Sequence, residues 1–268
     1  MRDVNYDESR RLDVFIALLR TFVEERRAGT LLVIALQEVS HTHAERARAL
    51  AREFHGAAVT SEYAPFAELR DGKRHKNFKW PPVIPEHVML LAFDDAPLDN
   101  VEILSSNAAF ASSSGNGYVT LLVPTRQIAF VSTHVSYGGE RRRSQLAELS
   151  AVAHHMLWMS GATACFVTGD FNCTLETLRC QWPPVTRPAP DENLIAPTCE
   201  IYGAPAPTRI GKFGASSFAA AETIDHVVVL ADNEGSVTGR RHALHVARVV
   251  EIDTMMLSDH RPVMYLFE

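Results

Sequence analysis

Polar residues that suit catalysis stand at the ends of five apolar runs in this chain. They are carboxylates, imidazoles and one amide: Glu38, His134, Asp170, Asn172, Asp225, His226, Asp259 and His260. Asp and Glu side chains are rarely buried unless they are paired, so core packing does not explain their place beside apolar runs. Strand ends on one rim of a sheet meet in space although they lie far apart in sequence. We therefore expect these residues to form one site.

The segment FVTGDFNCTL, residues 166–175, allows two interpretations. In the first, Asp170 and Asn172 are turn residues, and Asp or Asn caps the helix that residues 174–178 suggest. In the second, the two side chains point the same way, because residues i and i+2 of an extended segment share a face. They would then present an acceptor and a donor to one ligand. The segment alone does not decide between the two.

Each of the other motifs also has a purely structural interpretation. Glu38 suits the start of a helix, His134 suits a hydrogen-bonded rim position, and Asp225 suits a turn before a strand. Asp259 and His260 suit a β-turn. A plain α/β domain with scattered rim carboxylates would explain the motifs one by one. Five of them in one chain point instead to a shared chemical site.

The elements that must position these residues follow from the hydrophobic pattern. Apolar residues at helical spacing predict helices over residues 12–23, 43–54 and 140–159. Apolar runs of strand length predict strands over residues 31–36, 57–60, 87–93, 101–104, 118–123, 128–133, 163–168, 223–230, 244–252 and 262–267. Strands that cluster between a few helices favour packed mixed sheets over a doubly wound parallel fold. Residues 70–85 and 183–219 are irregular, and loops of that length are usually functional or disordered.

Composition and charge restrict the class of protein. The chain has 268 residues, of which 46% are hydrophobic and 22% are charged, an ordinary globular mixture that supports a sizeable core. The net charge of −6 and the pI of about 6.1 argue against a protein that coats nucleic acid nonspecifically. A local basic groove is compatible with both values.

Cysteine usage and the first residues predict the compartment. The four cysteines form no C-x-x-C pair, so neither a disulfide framework nor a zinc cluster is expected. The opening residues MRDVNYDESRR are polar and charged, unlike a secretory signal, and no apolar run approaches the length of a membrane span. We predict a reduced intracellular protein, cytoplasmic or nuclear, with no membrane association and no evident obligate protein partner.

The motifs occur in the order QE, TH, GDFN, IDH and SDHRPV, and this order resembles the endonuclease/exonuclease/phosphatase superfamily of metal-dependent phosphoesterases. The match runs from residue 36 to residue 263, and GDFN and SDH, the motifs most diagnostic of that family, are intact. The resemblance implies a single domain over residues 1–268, an α/β fold built as a four-layer sandwich with two central, mostly antiparallel sheets. It also implies hydrolysis of a phosphoester with Mg²⁺ or Mn²⁺.

The resemblance also implies roles for the acidic residues and the amide. Mg²⁺ prefers few protein carboxylates, several waters and substrate phosphate oxygens. Glu38 would be the principal ligand, and Asp259 a second or water-mediated one. The ion would neutralise a phosphate oxygen and the charge that develops on the leaving oxygen. Asp170 would orient or deprotonate the attacking water, and Asn172 would donate a hydrogen bond to the phosphate.

Three further residues would complete the site. His260 would hold a phosphate oxygen or share the proton transfer. Asp225 would pair with His260 and fix its tautomer, as an orienting carboxylate does in a hydrolase triad. His134 would act as a general acid or as a hydrogen-bond donor to the transition state.

The start of the chain departs from the family pattern. The family opens with a core strand that ends in an Asn beside the metal ion or phosphate, whereas the first predicted helix here begins at about residue 8. Asn5 is the only candidate for that role. Either Asn5 acts from a shortened strand or the first strand is missing, and in the second case one sheet loses a core strand. The Asn role is therefore not transferred to this chain.

The substrate is predicted from two basic segments. Residues 70–80 interleave cations with aromatics, and Lys76 and Trp80 suit a phosphate backbone and a stacked base, although a solvated loop is the commoner meaning of a charge run. Arg141, Arg142 and Arg143 lie at the start of the helix after His134 and would lie near the phosphate, in a segment similar to the tyrosyl-DNA phosphodiesterase branch. We expect a phosphodiesterase that acts on nucleic acid. The alternatives are a phosphatase of inositol phosphates or other small phosphoesters, and an inactive family member that acts as a binding module.

Overall fold

This computed structural model describes residues 8–61, 86–98, 110, 117–184, 197–203, 224–231, 244–249 and 263–267. These residues contain ten strands and four helices. The helices are α1 (Glu8–Glu24), α2 (His41–Glu53), α3 (Gly139–Ser160) and α4 (Leu175–Gln181). The strands are β1 (Leu32–Ser40), β2 (Ala57–Thr60), β3 (Glu86–Phe93), β4 (Tyr118–Val123), β5 (Ile128–His134), β6 (Ala164–Asp170), β7 (Thr198–Gly203), β8 (Asp225–Ala231), β9 (Leu244–Val249) and β10 (Val263–Phe267).

The strands form three hydrogen-bonded groups. One sheet has the order β1-β3-β2, a larger sheet has the order β4-β5-β6-β8-β7, and β10 pairs with β9. Among these pairs β5 and β6 run parallel and the others run antiparallel. A parallel pair needs a crossover connection, and α3 supplies it between β5 and β6.

Helices cover the outer face of each larger sheet. Leu19 of α1 and Leu50 of α2 pack with Met89 of β3 in one buried cluster. Leu146 of α3 packs with Val167 of β6 in another. Successive side chains of a strand point to opposite faces of the sheet. The apolar residues next to Met89 and Val167 in their strands therefore point into the space between the two sheets.

The inner faces of the two larger sheets pack against each other. Leu90 of β3 and Leu121 of β4 belong to one buried cluster between them. Phe166 of β6 belongs to a second inner cluster, to which Tyr265 of β10 is added. The order helix, sheet, sheet, helix confirms the predicted four-layer α/β sandwich with mostly antiparallel sheets.

Most predicted elements lie within a few residues of the observed ones. The predicted strands at 57–60 and 118–123 coincide with β2 and β4. The assignment of residues 183–219 as irregular is wrong in part, because Thr198–Gly203 forms β7. Among the described residues this strand pairs with β8 alone, and its side chains are exposed or half-buried, so it lacks the apolar run that marks a central strand. The predicted strand at 101–104 and the basic stretch 70–85 lie outside the described residues.

No helix among the described residues has both the length and the apolar character needed to cross a bilayer.

Candidate active site

Three neighbouring strands bring His134, Asp170 and Asp225 side by side. His134 at the end of β5 pairs in register with Asp170 at the end of β6, and Asp170 pairs with Asp225 at the start of β8. Each lies four residues from an apolar side chain of the inner clusters, namely Phe130, Phe166 and Val229. An even spacing places all three polar side chains on the inner face, at one rim of the sandwich.

Glu38 reaches this rim from the facing sheet because β1 contains a bulge. The register with β3 passes from Leu36 opposite Met89 to Val39 opposite His87, so three steps along β1 match two along β3. The extra residue restores Val39 to the helix-facing side, and Glu38 has a left-handed backbone with φ of 53°. Strict alternation would have turned Glu38 toward α2, whereas the bulge aims it at the site.

The His134 imidazole lies between two carboxylates. Its Nε2 atom is 3.7 Å from Glu38 Oε1 and 3.7 Å from Asp170 Oδ2. These distances exceed those of a direct hydrogen bond and suit a charged pair or an intervening water or substrate atom. The Asp170 residue is 6% exposed, while the Glu38 side chain is 55% exposed. The site therefore opens to solvent on the Glu38 side.

The GDFN segment turns sharply instead of staying extended. Asn172 has φ of 50°, its backbone N–H donates to Asp170 Oδ1 at 2.7 Å, and its Nδ2 donates to the carbonyl of Val135 at 2.7 Å. The prediction that Asp170 and Asn172 share one face of an extended segment is wrong, because the Asp170 side chain closes a turn. The helix that follows is capped by Thr174, and neither Asp nor Asn caps it.

A buried histidine holds the far side of this turn. His226 is 1% exposed, and its Nε2–H donates to the carbonyl of Cys173 at 2.8 Å. Burial lowers the pKa of His226, and the hydrogen bond to Cys173 opposes that effect only in part. Its Nδ1 is buried with no hydrogen-bond partner among the described residues. His226 is therefore a neutral anchor of the turn.

Gly169 allows β5 and β6 to approach each other next to the site. It pairs with Thr133, has φ of 143°, and a Cβ atom placed on it would collide with the carbonyl oxygen of Thr133. A residue with a side chain would push apart the two strands that carry His134 and Asp170. The glycine of the GDFN motif is thus a packing requirement of the site.

Of the three arginines at 141–143, Arg141 was predicted to bind substrate, whereas Arg142 is the one that contacts the GDFN turn. Its Nη1 donates to the carbonyl of Asn172 at 3.1 Å, and its Nε donates to Gln181 Oε1 at 2.8 Å. Arg141 lies exposed on the same turn of α3. The helical period contained the signal, because Arg142 lies four residues before the buried Leu146 and shares its face.

The oxygen donors at the rim fit a hard divalent cation. Glu38 offers an exposed carboxylate, and Asn172 Oδ1 is a buried acceptor with no partner among the described residues. Within those residues no three His, Cys, Asp or Glu side chains form a ready-made metal cluster. Mg²⁺ needs none, because it keeps several waters and takes few protein ligands. Glu38 is the residue best placed to hold such an ion.

The remaining predicted site residues cannot be placed. Those outside the described residues are Lys76, Trp80, Asp259 and His260, and Asn5, to which no role was assigned, also lies outside them. The proposed pairing of Asp225 with His260 and the second metal ligand therefore stay predictions. The structure does bring together Glu38, His134 and Asp170, and it sets Asp225 on the strand beside Asp170.

The sequence matches no protein-family model and no curated protein, whereas the structure matches solved structures. An endonuclease/exonuclease/phosphatase protein from Bacteroides vulgatus has a TM-score of 0.55 at 16% identity, covering 95% of this chain and 89% of that one. TDP2 of D. rerio, complexed with a single-strand DNA product, has a TM-score of 0.57 at 10% identity, with 99% and 94% covered. A mannosyl-6-phosphatase from Bacteroides thetaiotaomicron has a TM-score of 0.56 at 10% identity, with 97% and 91% covered.

At these identities the comparisons concern the fold. They cover nearly the whole length of this chain and of the matched chains. They agree with the resemblance that the ordered motifs indicated in the sequence. The chain has the fold of the endonuclease/exonuclease/phosphatase proteins.

Proposed function

We propose that this protein is a phosphodiesterase that depends on Mg²⁺ or Mn²⁺ and cleaves nucleic acid. The observation that carries the proposal is the convergence of Glu38, His134 and Asp170 at one rim, with His134 Nε2 3.7 Å from each carboxylate. Two acidic groups on either side of an imidazole supply a base, a proton donor and a metal ligand in one opening.

The two oxygens of Asp170 have different tasks. Oδ1 accepts the backbone N–H of Asn172, which fixes the orientation of the carboxylate. Oδ2 faces His134 and is the atom that would accept a proton from the attacking water. Asn172 donates through Nδ2 to Val135, so its first task is to hold the turn.

His134 would donate a hydrogen bond to the phosphate through Nε2, the atom that lies between the carboxylates. The imidazole N–H would stabilise the negative charge that develops on a phosphoryl group. Glu38 would hold the metal ion, which when bound neutralises phosphate oxygens and the leaving oxygen.

Residues around the opening support a nucleic-acid substrate. Tyr137, three residues after His134, is 60% exposed. Arg141 and Arg143 lie exposed on the first turn of α3. An exposed aromatic ring and two exposed cations within seven residues of sequence suit a base that stacks and a backbone that carries phosphates. TDP2 of D. rerio, a structure of the same fold, is complexed with a single-strand DNA product, which supports this choice of substrate.

A substrate panel tests the proposal. Labelled single-stranded DNA, double-stranded DNA and RNA are incubated with the protein and Mg²⁺, beside inositol phosphates and mannose 6-phosphate. We expect cleavage of a nucleic acid that EDTA abolishes. Turnover of a small phosphoester with no nuclease activity would overturn the choice of substrate. DNA binding by a folded protein with no hydrolysis of any substrate would identify an inactive binding module.

A phosphatase of small phosphoesters is the second candidate. The net charge of −6 disfavours long polyanions, and one structure of the same fold is a mannosyl-6-phosphatase. Salt dependence separates the two candidates. Affinity for a polyanion falls steeply with salt because counterions are released, whereas affinity for a single phosphate changes much less.

We also propose an intracellular location. All four cysteines are free. Burial raises the pKa of Cys173 and of Cys199 to about 11 and keeps both thiols protonated. Mass spectrometry after thiol alkylation of the native protein from cells should find four reduced cysteines, and a disulfide would contradict the proposal.

A further inference from the structure

The residue before Glu38 is bonded to the opposite sheet. Gln37 Nε2 donates to Ser132 Oγ at 3.0 Å. Ser132 lies on β5 two residues before His134, on the same face of that strand, and is completely buried. This hydrogen bond therefore joins the segment that carries Glu38 to the strand that carries His134.

This bond lies next to the strained part of β1. Glu38 is a non-glycine residue with φ of 53° at a bulge, where one residue of the strand is left outside the regular ladder. Such a conformation costs about 1–3 kcal/mol and persists only when its surroundings hold it. The Glu38 side chain is 55% exposed, so packing does little to hold it. Val39 anchors one side of Glu38 in the helix-facing core, and Gln37 on the other side is the neighbour attached to the sheet that carries His134.

The alternation of side chains along β1 explains why a glutamine occurs at position 37. Leu31, Val33 and Ala35 pack between the sheets, and Gln37 continues that series by two residues. A polar side chain on this face needs a partner in the facing sheet, and Ser132 provides it.

We propose that Gln37 is a positioning residue: its hydrogen bond to Ser132 holds the bulge of β1 and so aims the Glu38 carboxylate at the catalytic rim. The proposal rests on the proposed function, in which Glu38 holds the metal ion. Residues that orient a metal ligand typically change metal affinity or activity by about 10–100-fold when they are replaced. Gln37 touches neither the reacting atoms nor the ion in this account.

The first measurement is the affinity for Mn²⁺ alone, from the electron paramagnetic resonance signal of the free ion. The variants are Gln37→Met, Ser132→Ala, their double variant and Glu38→Gln. The matched control is Gln145→Met, because Gln145 also bonds a serine: its Nε2 donates to Ser136 Oγ at 3.0 Å and its Oε1 accepts the Ser136 N–H at 2.7 Å.

We expect Gln37→Met and Ser132→Ala each to weaken Mn²⁺ binding by about 10–100-fold. The double variant should be no weaker than the worse single one, because both changes remove the same bond. Gln145→Met should destabilise the protein and leave the affinity within about twofold of the wild type. Unchanged affinity in Gln37→Met, or an equal loss in Gln145→Met, would overturn the positioning role.

A second measurement separates this proposal from the proposed function. Amide hydrogen exchange at Glu38 and Val39 reports the opening of the bulge without metal or substrate. We expect exchange at these amides to be at least about tenfold faster in Gln37→Met than in the wild type and in Gln145→Met. If the wild type binds no Mn²⁺, the role of Glu38 as a ligand fails, and unchanged exchange in Gln37→Met would still overturn the positioning role.

Discussion

His134 has the position that a proton donor needs, because both neighbouring carboxylates face its Nε2 atom. Replacement by Gln preserves size and polarity and removes the proton that can be transferred. We expect His134→Gln to lower kcat by about 10²–10⁴-fold, the range of general acid–base catalysis, with a melting temperature near that of the wild type. Initial rates with labelled DNA, whose leaving alkoxide needs a proton, measure the effect.

The control for this change is His155→Gln. His155 lies exposed on α3, away from the rim strands, and its replacement should leave kcat within about twofold of the wild type. Equal rates for His134→Gln and His155→Gln would remove His134 from the mechanism.

A second residue-scale prediction concerns pH. Because burial lowers the pKa of His226, protons bind the unfolded chain more readily than the folded one. The stability that neutral His226 contributes is complete above the ordinary histidine pKa of about 6.5 and is lost as the pH falls below it. We expect the wild type to lose more stability between about pH 7.5 and pH 5 than His226→Gln, which cannot titrate.

Urea unfolding at several pH values measures this difference. His155→Gln serves again as the control, because it replaces a histidine on the exposed surface of α3, and its curve should run parallel to that of the wild type. Parallel curves for the wild type and His226→Gln would show that His226 takes up a proton without unfolding.

At the scale of elements, the close pairing of β5 and β6 decides the geometry of the site. Gly169→Ala would place a methyl group against the Thr133 carbonyl oxygen and would impose a side chain on φ of 143°. We expect a loss of about 2–4 kcal/mol in the free energy of unfolding, together with lower activity, because His134 and Asp170 would move apart.

Gly139→Ala is the matched control for that substitution. Gly139 begins α3, and a Cβ atom there meets nothing within 4 Å. Alanine should be neutral or should stabilise the protein by up to about 1 kcal/mol. Similar losses in the two variants, measured by denaturant unfolding, would show that strand approach at Gly169 does not matter.

Elements that carry an apolar run could be predicted from the sequence, and edge elements could not. Residues 57–60 and 118–123 have such runs and were assigned to the strands observed, whereas β7 reads TCEIYG and lies at the sheet edge. Helical spacing predicted α3 to within one residue at each end. Hydrophobic periodicity reflects which side chains are buried, and an edge strand buries too few side chains for the pattern to be visible.

For the site, the sequence predicted which residues take part but not all of their local backbone geometry. Glu38, His134 and Asp170 were identified by their types and order, and the structure places them together. The bulge at Glu38 escaped prediction, because it depends on a left-handed glutamate, which the residue type does not indicate. The turn at Asn172 was one of the two interpretations of its segment, and Asn is enriched in the left-handed conformation that the structure shows there.

At the scale of the whole molecule, a polar cluster ties the two sheets together at the end opposite the site. Arg126, in the turn before β5, donates to both carboxylate oxygens of Asp94, at 2.8 Å from Nε and 2.6 Å from Nη2. Arg126 also donates to the carbonyl of Gly29 at 3.3 Å, before β1. The hydrogen bonds from Arg126 hold the pKa of Asp94 below its usual range, against the effect of burial.

Removal of this cluster should affect stability and spare catalysis. The Asp94 side chain is 4% exposed, so Arg126→Met leaves a carboxylate with less compensation, and we expect a loss of about 1–3 kcal/mol in the free energy of unfolding. The rim lies about 20 Å away along β5, so kcat should stay within about twofold. The stability difference from the wild type should shrink as the pH falls below the ordinary Asp pKa of about 3.9.

Glu45→Gln is the comparison for Arg126→Met. Glu45 pairs with Arg48 on the surface of α2, and exposed pairs contribute about 0–1 kcal/mol. Thermal and urea unfolding of both variants should therefore differ clearly. Equal stabilities of the two variants would show that the Arg126 cluster adds little to stability. A fall in kcat for Arg126→Met would show that this end of the sandwich also affects catalysis at the rim.

The proposed function requires that the rim formed by Glu38, His134 and Asp170 hydrolyses phosphodiesters with a divalent ion. Its most direct test is the rate of bis-p-nitrophenyl phosphate hydrolysis by the wild type and by Glu38→Gln, each with Mg²⁺, Mn²⁺ or EDTA. Glu38 is exposed, so the isosteric amide should leave the fold intact. We expect metal-dependent hydrolysis by the wild type and a rate at least about 100-fold lower for Glu38→Gln. Equal rates for the two folded proteins, or no hydrolysis by either, would contradict it.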